Sequence, residues 1–143
     1  MCYILRPATR DDFAFMRDTK LDGMRPYVEA TWGWDRQHQE ELFLQKFDPD
    51  RSQIVVVDGT DAGYIQLEDH PEEMFLGGIY LTAATRRHGI GEAILRDLTK
   101  AAAARGKPLT LRVLKVNPAR HLYERVGFSI TAETDTHFLM RSS

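Results

Sequence analysis

The sequence predicts an α/β or α+β domain with a mixed sheet, and three observations carry that prediction. Strand-like and helix-like runs follow one another in the order β-α-α-β-β-β-α-β-α-β-β. An apolar run at 74–82 passes through the basic glycine turn Arg86-Arg87-His88-Gly89-Ile90-Gly91 into an amphipathic stretch starting at Glu92. Asp58-Gly59 stands between two β-rich runs, the signal of a tight hairpin.

Taken in order, residues 2–6 read as a short strand. Thr9 followed by Asp12 is a capping-box start, with Asp in place of the usual Glu. Phe13, Phe15, Met16 and Leu21 give the helix that follows an apolar side. Asp22-Gly23 is expected to break it and Pro26 to restart it. A second helix is expected over 26–47, carrying Trp32, Trp34, Leu42, Phe43 and Phe47, with a kink or gap at Trp32-Gly33-Trp34. Strands 53–57 and 62–67 flank the Asp58-Gly59 turn, and strand 74–82 follows Pro71. The helix after the glycine turn runs to about Arg105, with Ile90, Ile94, Leu95, Leu98 and Ala102 on its buried side. Gly106 and Pro108 punctuate the approach to strand 109–114. Asn117 is a good N-cap, Pro118 suits a first helical position, and Gly127 closes that short helix. Strands 128–133 and 136–141 finish the chain. No repeat, linker or low-complexity tract divides it, so one domain is expected over residues 1–143.

Composition bounds the function. With 43% hydrophobic and 28% charged residues the chain is of ordinary globular make-up. No apolar run approaches the roughly 20 residues of a membrane helix, and the N-terminus is too poor in apolar residues for a signal peptide. The single cysteine, Cys2, has no internal partner, which fits a cytoplasmic location. Residues 1–85 hold 8 Lys and Arg against 16 Asp and Glu, whereas residues 86–127 hold 10 against 3. This split suits an anionic cofactor on one side of the fold and a cationic substrate on the other, or it reflects solvated charges that merely segregate. The overall charge of −2 and the acidic first half speak against nucleic acid. The five histidines show no metal-ligand spacing with Cys or acids, so no metal is expected.

The strand–turn–helix at 74–98 has the make-up of an anion site. Its two glycines allow close backbone approach, the first helical N–H groups lack partners, and the helix dipole favours negative charge there. A dinucleotide fingerprint is excluded, because Gly89-Ile90-Gly91-Glu92-Ala93-Ile94 lacks the third glycine. A phosphate-binding loop ending in Gly-Lys-Ser/Thr is absent. What remains is Arg86-x-x-Gly89-x-Gly91. It resembles the Gln/Arg-x-x-Gly-x-Gly/Ala signature of the GNAT family of N-acetyltransferases. The stretch Val113 to Phe128, in which Asn117 caps a helix, Tyr123 follows and Gly127-Phe128 starts a strand, resembles that family's second motif at the expected separation. The opening Ile4-Leu5-Arg6-Pro7-Ala8-Thr9 and the terminal hairpin match too, so the resemblance covers essentially the whole chain.

The resemblance implies a twisted mixed sheet of about seven strands with four helices, its fourth and fifth strands splayed around acetyl-CoA. It implies that backbone groups of Leu81 hold the pantetheine and polarise the thioester carbonyl. The N–H groups of Arg87, His88, Gly89, Ile90 and Gly91 would cradle the pyrophosphate, with the Arg86 side chain beside them. Asn117 would bond the pantetheine, and Tyr123 would face the sulfur as the acid that protonates the leaving thiolate. Arg87 stands where many members have glycine; its N–H serves a phosphate if φ is negative, and its side chain adds charge. His88 and His121 are phosphate-side donors or ordinary surface histidines. Tyr27, Glu29, Trp32, Trp34 and Asp35 fall where the family forms its acceptor wall, and suggest a pocket for an apolar or cationic group. No acid lies within 74–82, so a general base would have to be Glu68 or Glu73 acting through water, unless the amine arrives deprotonated. The implied function is transfer of an acetyl group to a primary amine of a small molecule. Peptide or protein amines, or a non-catalytic acyl-CoA-binding domain, are the alternatives. A homodimer is also within the family's habits, with no interface legible in the sequence.

Overall fold

Among the described residues there are seven strands: β1 (Tyr3–Pro7), β2 (Ser52–Val57), β3 (Thr60–Asp69), β4 (Met74–Leu81), β5 (Leu109–Leu114), β6 (Ser129–Glu133) and β7 (His137–Arg141). Burial alternates in β5 from Leu109 to Val113, whereas β6 is exposed throughout. Four α-helices accompany them: α1 (Phe13–Trp32), α2 (Arg36–Lys46), α3 (Ile90–Ala104) and α4 (Ala119–Val126). This computed structural model describes residues 2–143. The strands form one sheet in the order β1-β2-β3-β4-β5-β7-β6. Only β4 and β5 run parallel, joined across by α3, and the remaining neighbours are antiparallel. Among the described residues no helix is long and apolar enough to cross a membrane.

Helices cover both faces of this sheet. On one face Ile90, Ile94, Leu95 and Leu98 of α3 bury themselves against Val55, Ile65, Leu76, Leu111 and Val113. On the other, Met16 of α1 and Phe43 of α2 pack on Ile54 and Tyr64. There Phe13 meets Phe43 at 5.4 Å and Phe47 edge-on at 5.0 Å.

Asp58 (φ 52°) and Gly59 (φ 77°) both take the left-handed conformation that a two-residue hairpin turn demands. The Thr9–Asp12 capping box also forms, on a single 3₁₀ turn ahead of α1. Arg6 then clamps Asp12 with bonds of 2.9 and 3.1 Å, and this holds the Asp12 carboxyl below its ordinary range.

The first two helices depart from expectation. Asp22-Gly23 does not break the helix: α1 runs unbroken through Gly23 and Pro26 to Trp32. Local propensity costs there, about 1 kcal/mol for glycine and about 3 for proline, are outweighed by tertiary packing. The helix buries Met16, Thr19, Leu21 and Val28 along one side. The break falls at Gly33, where a kink or gap was expected. Its φ of 85° turns the chain, and its N–H closes α1 on the Glu29 carbonyl at 3.0 Å. Asp35 then caps α2 by accepting the His38 N–H at 3.2 Å. Arg36 ties the two helices together, reaching Asp18 at 3.3 Å, Asp22 at 3.5 Å and Glu40 at 3.0 Å.

The feature that positions the site is a parting of strands. β4 and β5 pair only at Met74, Phe75 and Leu76 with Leu109, Thr110 and Leu111. Just beyond, Gly77 is the extra residue of a bulge, because Leu67 pairs with Leu76 and Gln66 with Gly78. A bulge bends and twists its strand, and here β4 swings away from β5. β5 itself continues with β7 as far as the Leu114–His137 pair. A gap therefore opens through the sheet between Gly77–Leu81 and Arg112–Leu114.

Candidate active site

The glycine turn stands at the top of that gap. Both the Thr85 and Arg86 N–H groups donate to the Thr82 carbonyl, at 3.0 and 3.1 Å, and the Thr82 and Thr85 hydroxyls bond each other at 2.8 Å. That closes the first half of the turn upon itself. The second half is left open: among the described residues none of the backbone N–H groups of Arg87, His88, Gly89, Ile90 and Gly91 donates to a protein acceptor. Five consecutive free donors at a helix N-terminus fit a pyrophosphate. Arg87 does not have the negative φ under which its N–H was expected to serve; its φ is 67°, and Gly89 follows at 79°. The position many family members fill with glycine is therefore left-handed here too, and an arginine occupies it. A Cβ built on Gly89 meets nothing within 4 Å, so the space above the turn is open.

Leu81 presents its backbone to the gap. The Thr82 N–H donates to the Ala62 carbonyl at 2.9 Å, which makes that pair a bonded one. By antiparallel alternation the next pair, Gly63 with Leu81, is unbonded. The Leu81 N–H and C=O consequently point away from β3, into the space β5 has vacated. Its side chain turns to the α3 face, where Cδ1 lies 3.6 Å from a Cβ placed on Gly91.

α4 supplies two side chains. The Asn117 Oδ1 accepts the Ala119 N–H at 2.9 Å, which opens the helix and leaves the Asn117 amide NH₂ free. Tyr123 packs edge-on to Phe128 at 6.0 Å. Its hydroxyl makes no hydrogen bond within the described residues, yet it is not among the sealed-in groups, because its tip reaches the cleft. Burial, then the nearby Tyr80, pushes the Tyr123 phenol well above its ordinary value, so it stays protonated at neutral pH.

Asn117 and Tyr123 line a cleft of about 1000 Å³ on the α1–α2 face of the sheet. Trp32, Trp34 and Asp35 line it as well. Tyr27 and Glu29 do not: Glu29 turns outward to Arg25 at 3.7 Å. That same Arg25 lies over the Trp34 ring at 5.3 Å, while Trp32 stands 6.2 Å from His137. Glu68 is also absent from the cleft. It is held by Arg51 at 3.1 Å and His70 at 3.4 Å, and Glu73 lines a separate hollow at the closed end of β4. Neither candidate base thus faces the gap, since Glu73 is eight residues from Leu81, about 26 Å along an extended strand. His88 and His121 are both exposed.

Several lining residues had no sequence signal. Lys20 of α1, Tyr80 of β4, Arg112 of β5 and His137 of β7 all reach the cleft. The Tyr80 ring folds back over Gly78, where an added Cβ would lie 2.3 Å from it. Burial pushes the Tyr80 phenol up to about 12. Burial and then Arg112 push His137 below its usual value, so it is neutral at pH 7. Each of these sits on a different element, so no single spacing along the chain groups them. A β-strand parity argument would have placed Tyr80 opposite Ile79 and Leu81.

The family model described as acetyltransferase (GNAT) family matches residues 17–128. A PaiA N-acetyltransferase from Thermoplasma acidophilum, solved with coenzyme A, superposes with a TM-score of 0.80 at 17% identity, covering 100% of this chain and 99% of its own. An N-acetyltransferase from Staphylococcus aureus superposes with a TM-score of 0.72 at 14% identity, covering 96% and 99%. A GNAT-family acetyltransferase from Listeria monocytogenes does so at 0.67 and 14%, covering 98% and 94%. At these identities the likeness speaks for the fold. Comparison with curated proteins finds no match. The matched segment runs from within α1 to the start of β6 and so includes the glycine turn, the parted strands, Asn117 and Tyr123; the chain belongs to the GNAT family of acetyltransferases.

Proposed function

We propose that this chain transfers an acetyl group from acetyl-CoA to a primary amine of a small molecule, by direct attack of the amine on the thioester. The observation that carries the proposal is the parting of β4 from β5, with the Leu81 backbone turned towards β5, the free N–H groups of Arg87 to Gly91 following β4 at its open end, and the unpartnered Tyr123 hydroxyl facing the cleft on the α1–α2 side.

In this reading the turn N–H groups and Arg86 hold the pyrophosphate, and the Asn117 amide holds the pantetheine. The neutral amine attacks the carbonyl carbon. Negative charge gathers on the carbonyl oxygen, and the Leu81 N–H is placed to meet it. The C–N bond forms as the C–S bond breaks. Tyr123 gives its proton to the departing thiolate, the amine's surplus proton leaves to water in the cleft, and the phenolate takes a proton back from that water, so the turnover is proton-neutral. Most of the acceleration comes from holding amine and thioester together.

The test is release of coenzyme A, followed with a thiol reagent, across a library of small amines and short peptides. A small amine turned over faster than the peptides bears the proposal out. Peptides turned over faster, or no turnover while calorimetry shows bound acetyl-CoA, overturns it.

A further inference from the structure

The acidic first half of the chain invites the expectation of an acidic, cation-attracting cleft. The structure pairs nine of that half's 16 acids with arginine or lysine away from the cleft. Arg6 takes Asp12 and Asp61, Arg36 takes Asp18, Asp22 and Glu40, and Arg25 takes Glu29. Arg51 takes Asp48 and Glu68, and Lys107 with Arg105 takes Asp69. All of these pairs lie outside the cleft lining. The one carboxylate that does line the cleft among the described residues is Asp35, and its Oδ1 is engaged as the cap of α2.

The cations in the cleft are in the opposite condition. Lys20, Lys46 and Arg112 all line it, and none of them forms an ion pair among the described residues. Lys20 is half-buried, whereas Lys46 and Arg112 are exposed, and Arg112 also borders the hollow lined by Glu72 and Glu73. The Lys20 ammonium lies 5.5 Å above the Tyr80 ring and meets no carboxylate, and burial pushes it below its ordinary value. Tyr80 in turn is close enough to raise the Tyr123 phenol. An unpaired cation withdrawn from water is unfavourable unless something of opposite charge joins it. The glycine turn is not part of this lining, so the phosphates it accommodates are not that partner.

We infer that the acceptor amine carries an anionic group, a carboxylate or a phosphoryl, which the Lys20 ammonium and the Arg112 guanidinium receive while the amine is presented to the thioester near Tyr123. The inference rests on the acetyltransferase reading for its amine and on the cleft's own charges for its anion. The same positive surroundings disfavour an ammonium in the cleft and favour the neutral, nucleophilic amine. A cleft so built has less need of the glutamate base that neither Glu68 nor Glu73 supplies.

The experiment compares matched acceptors of three, four and five carbons. The set comprises ω-amino acids, the corresponding aminoalkylphosphonates, the uncharged ω-amino amides and the α,ω-diamines. Turnover is read by coenzyme A release, and binding to the coenzyme A-loaded protein by calorimetry. At one length the carboxylate or the phosphonate should exceed its amide at least tenfold in kcat/KM and in affinity, with the diamine poorest. Which of the two anions leads identifies the group. Lys20→Met and, on the exposed face of β5, Arg112→Gln should each bring that ratio towards one. Lys20→Arg and the surface control Lys100→Met should keep it. Amides or diamines that equal the anionic acceptors at every length overturn the inference, as does a ratio untouched in both charge-removing variants. Anion-dependent binding without any acetyl transfer would support the cleft's selectivity while overturning the acetyl-transfer reading.

Discussion

β4 separates two regions built in different ways. On its α3 side the groups proposed to hold the cofactor are backbone: five N–H groups of one turn and the peptide of Leu81. On its α1–α2 side the cleft is made of side chains from α1, α2, β4, β5, β7 and α4. Backbone donors ask only that a short segment adopt one shape, and a short segment with glycines and a helix start specifies it. A side-chain cleft asks that distant elements meet, and either charge or shape can change without altering any local rule. The two regions should therefore fail differently when substituted.

The largest effect is expected on the backbone side. Gly89→Asp and Gly91→Asp should each abolish acetyl-CoA binding in a protein that remains folded. Asp tolerates the left-handed backbone of position 89 better than most residues do. At Gly91 an added Cβ meets only ordinary contacts of 3.6 and 3.8 Å. The introduced carboxylate would then face the pyrophosphate itself. Calorimetry that finds affinity unchanged in either folded variant would remove the cofactor assignment.

Next comes the group between the two regions. Tyr123→Phe deletes one hydroxyl and should lower kcat about 10²-fold, within the general-acid range, with acetyl-CoA affinity nearly constant. The elevated phenol adds a pH signature. Because its pKa is raised in the fold, the protonated acid persists as pH rises past the ordinary value of a free tyrosine, so kcat should show no alkaline loss up to about pH 10. A kcat within threefold of the parent at neutral pH would make Tyr123 a packing residue.

Smaller still are the cleft aromatics. An apolar contact with an indole face, at about 0.8 kcal/mol per buried CH₂ and one or two methylenes buried, corresponds to a roughly 4- to 15-fold rise in acceptor KM. Trp34 already has Arg25 over its ring, so Trp32, 61% exposed and beside His137, is the one expected to show the rise when changed to Ala. The acetyl-CoA KM should not follow. If neither Trp32→Ala nor Trp34→Ala moves the acceptor KM, this segment is structural.

What was legible in the sequence divides along the same line. Every strand was visible, and so were α3, α4 and the glycine turn, because period-two and period-3.6 patterns and glycine positions are local. Asn117 and Tyr123, picked out by the family pattern, both line the cleft. The boundary between α1 and α2 was misjudged at Gly23 and Pro26, since a buried face carried by Met16, Thr19, Leu21 and Val28 overrode two local breakers. The charge split left two readings open, and the structure bears on them for a related reason. A net charge summed along the chain says nothing of which acids pair off outside, as Asp18, Asp22 and Glu40 do with Arg36. Lys20 and Arg112 carried no signal at all, for nothing local marks a lysine that faces a gap between strands.

The smallest effect sharpens the comparison most, because it separates backbone from side chain at a single residue. Arg87 holds φ at 67° in a turn whose shape glycine adopts freely. For a residue with a Cβ that conformation costs roughly 1–2 kcal/mol. Glycine removes the strain but loses about 0.5–1 kcal/mol more backbone entropy on folding. Arg87→Gly should therefore stabilise the fold by about 0.5–1 kcal/mol, a rise in Tm of about 2–3 °C for a domain of this size. Acetyl-CoA affinity should meanwhile fall two- to fivefold, the worth of one exposed charge near a phosphate. Arg87→Ala removes the same charge and keeps the strain, so its affinity should match that of Arg87→Gly while its Tm does not rise. If the two variants melt together, the left-handed turn stores no strain at Arg87. If affinity holds in both, the site recognises phosphate through its N–H groups alone, and the guanidinium is a bystander.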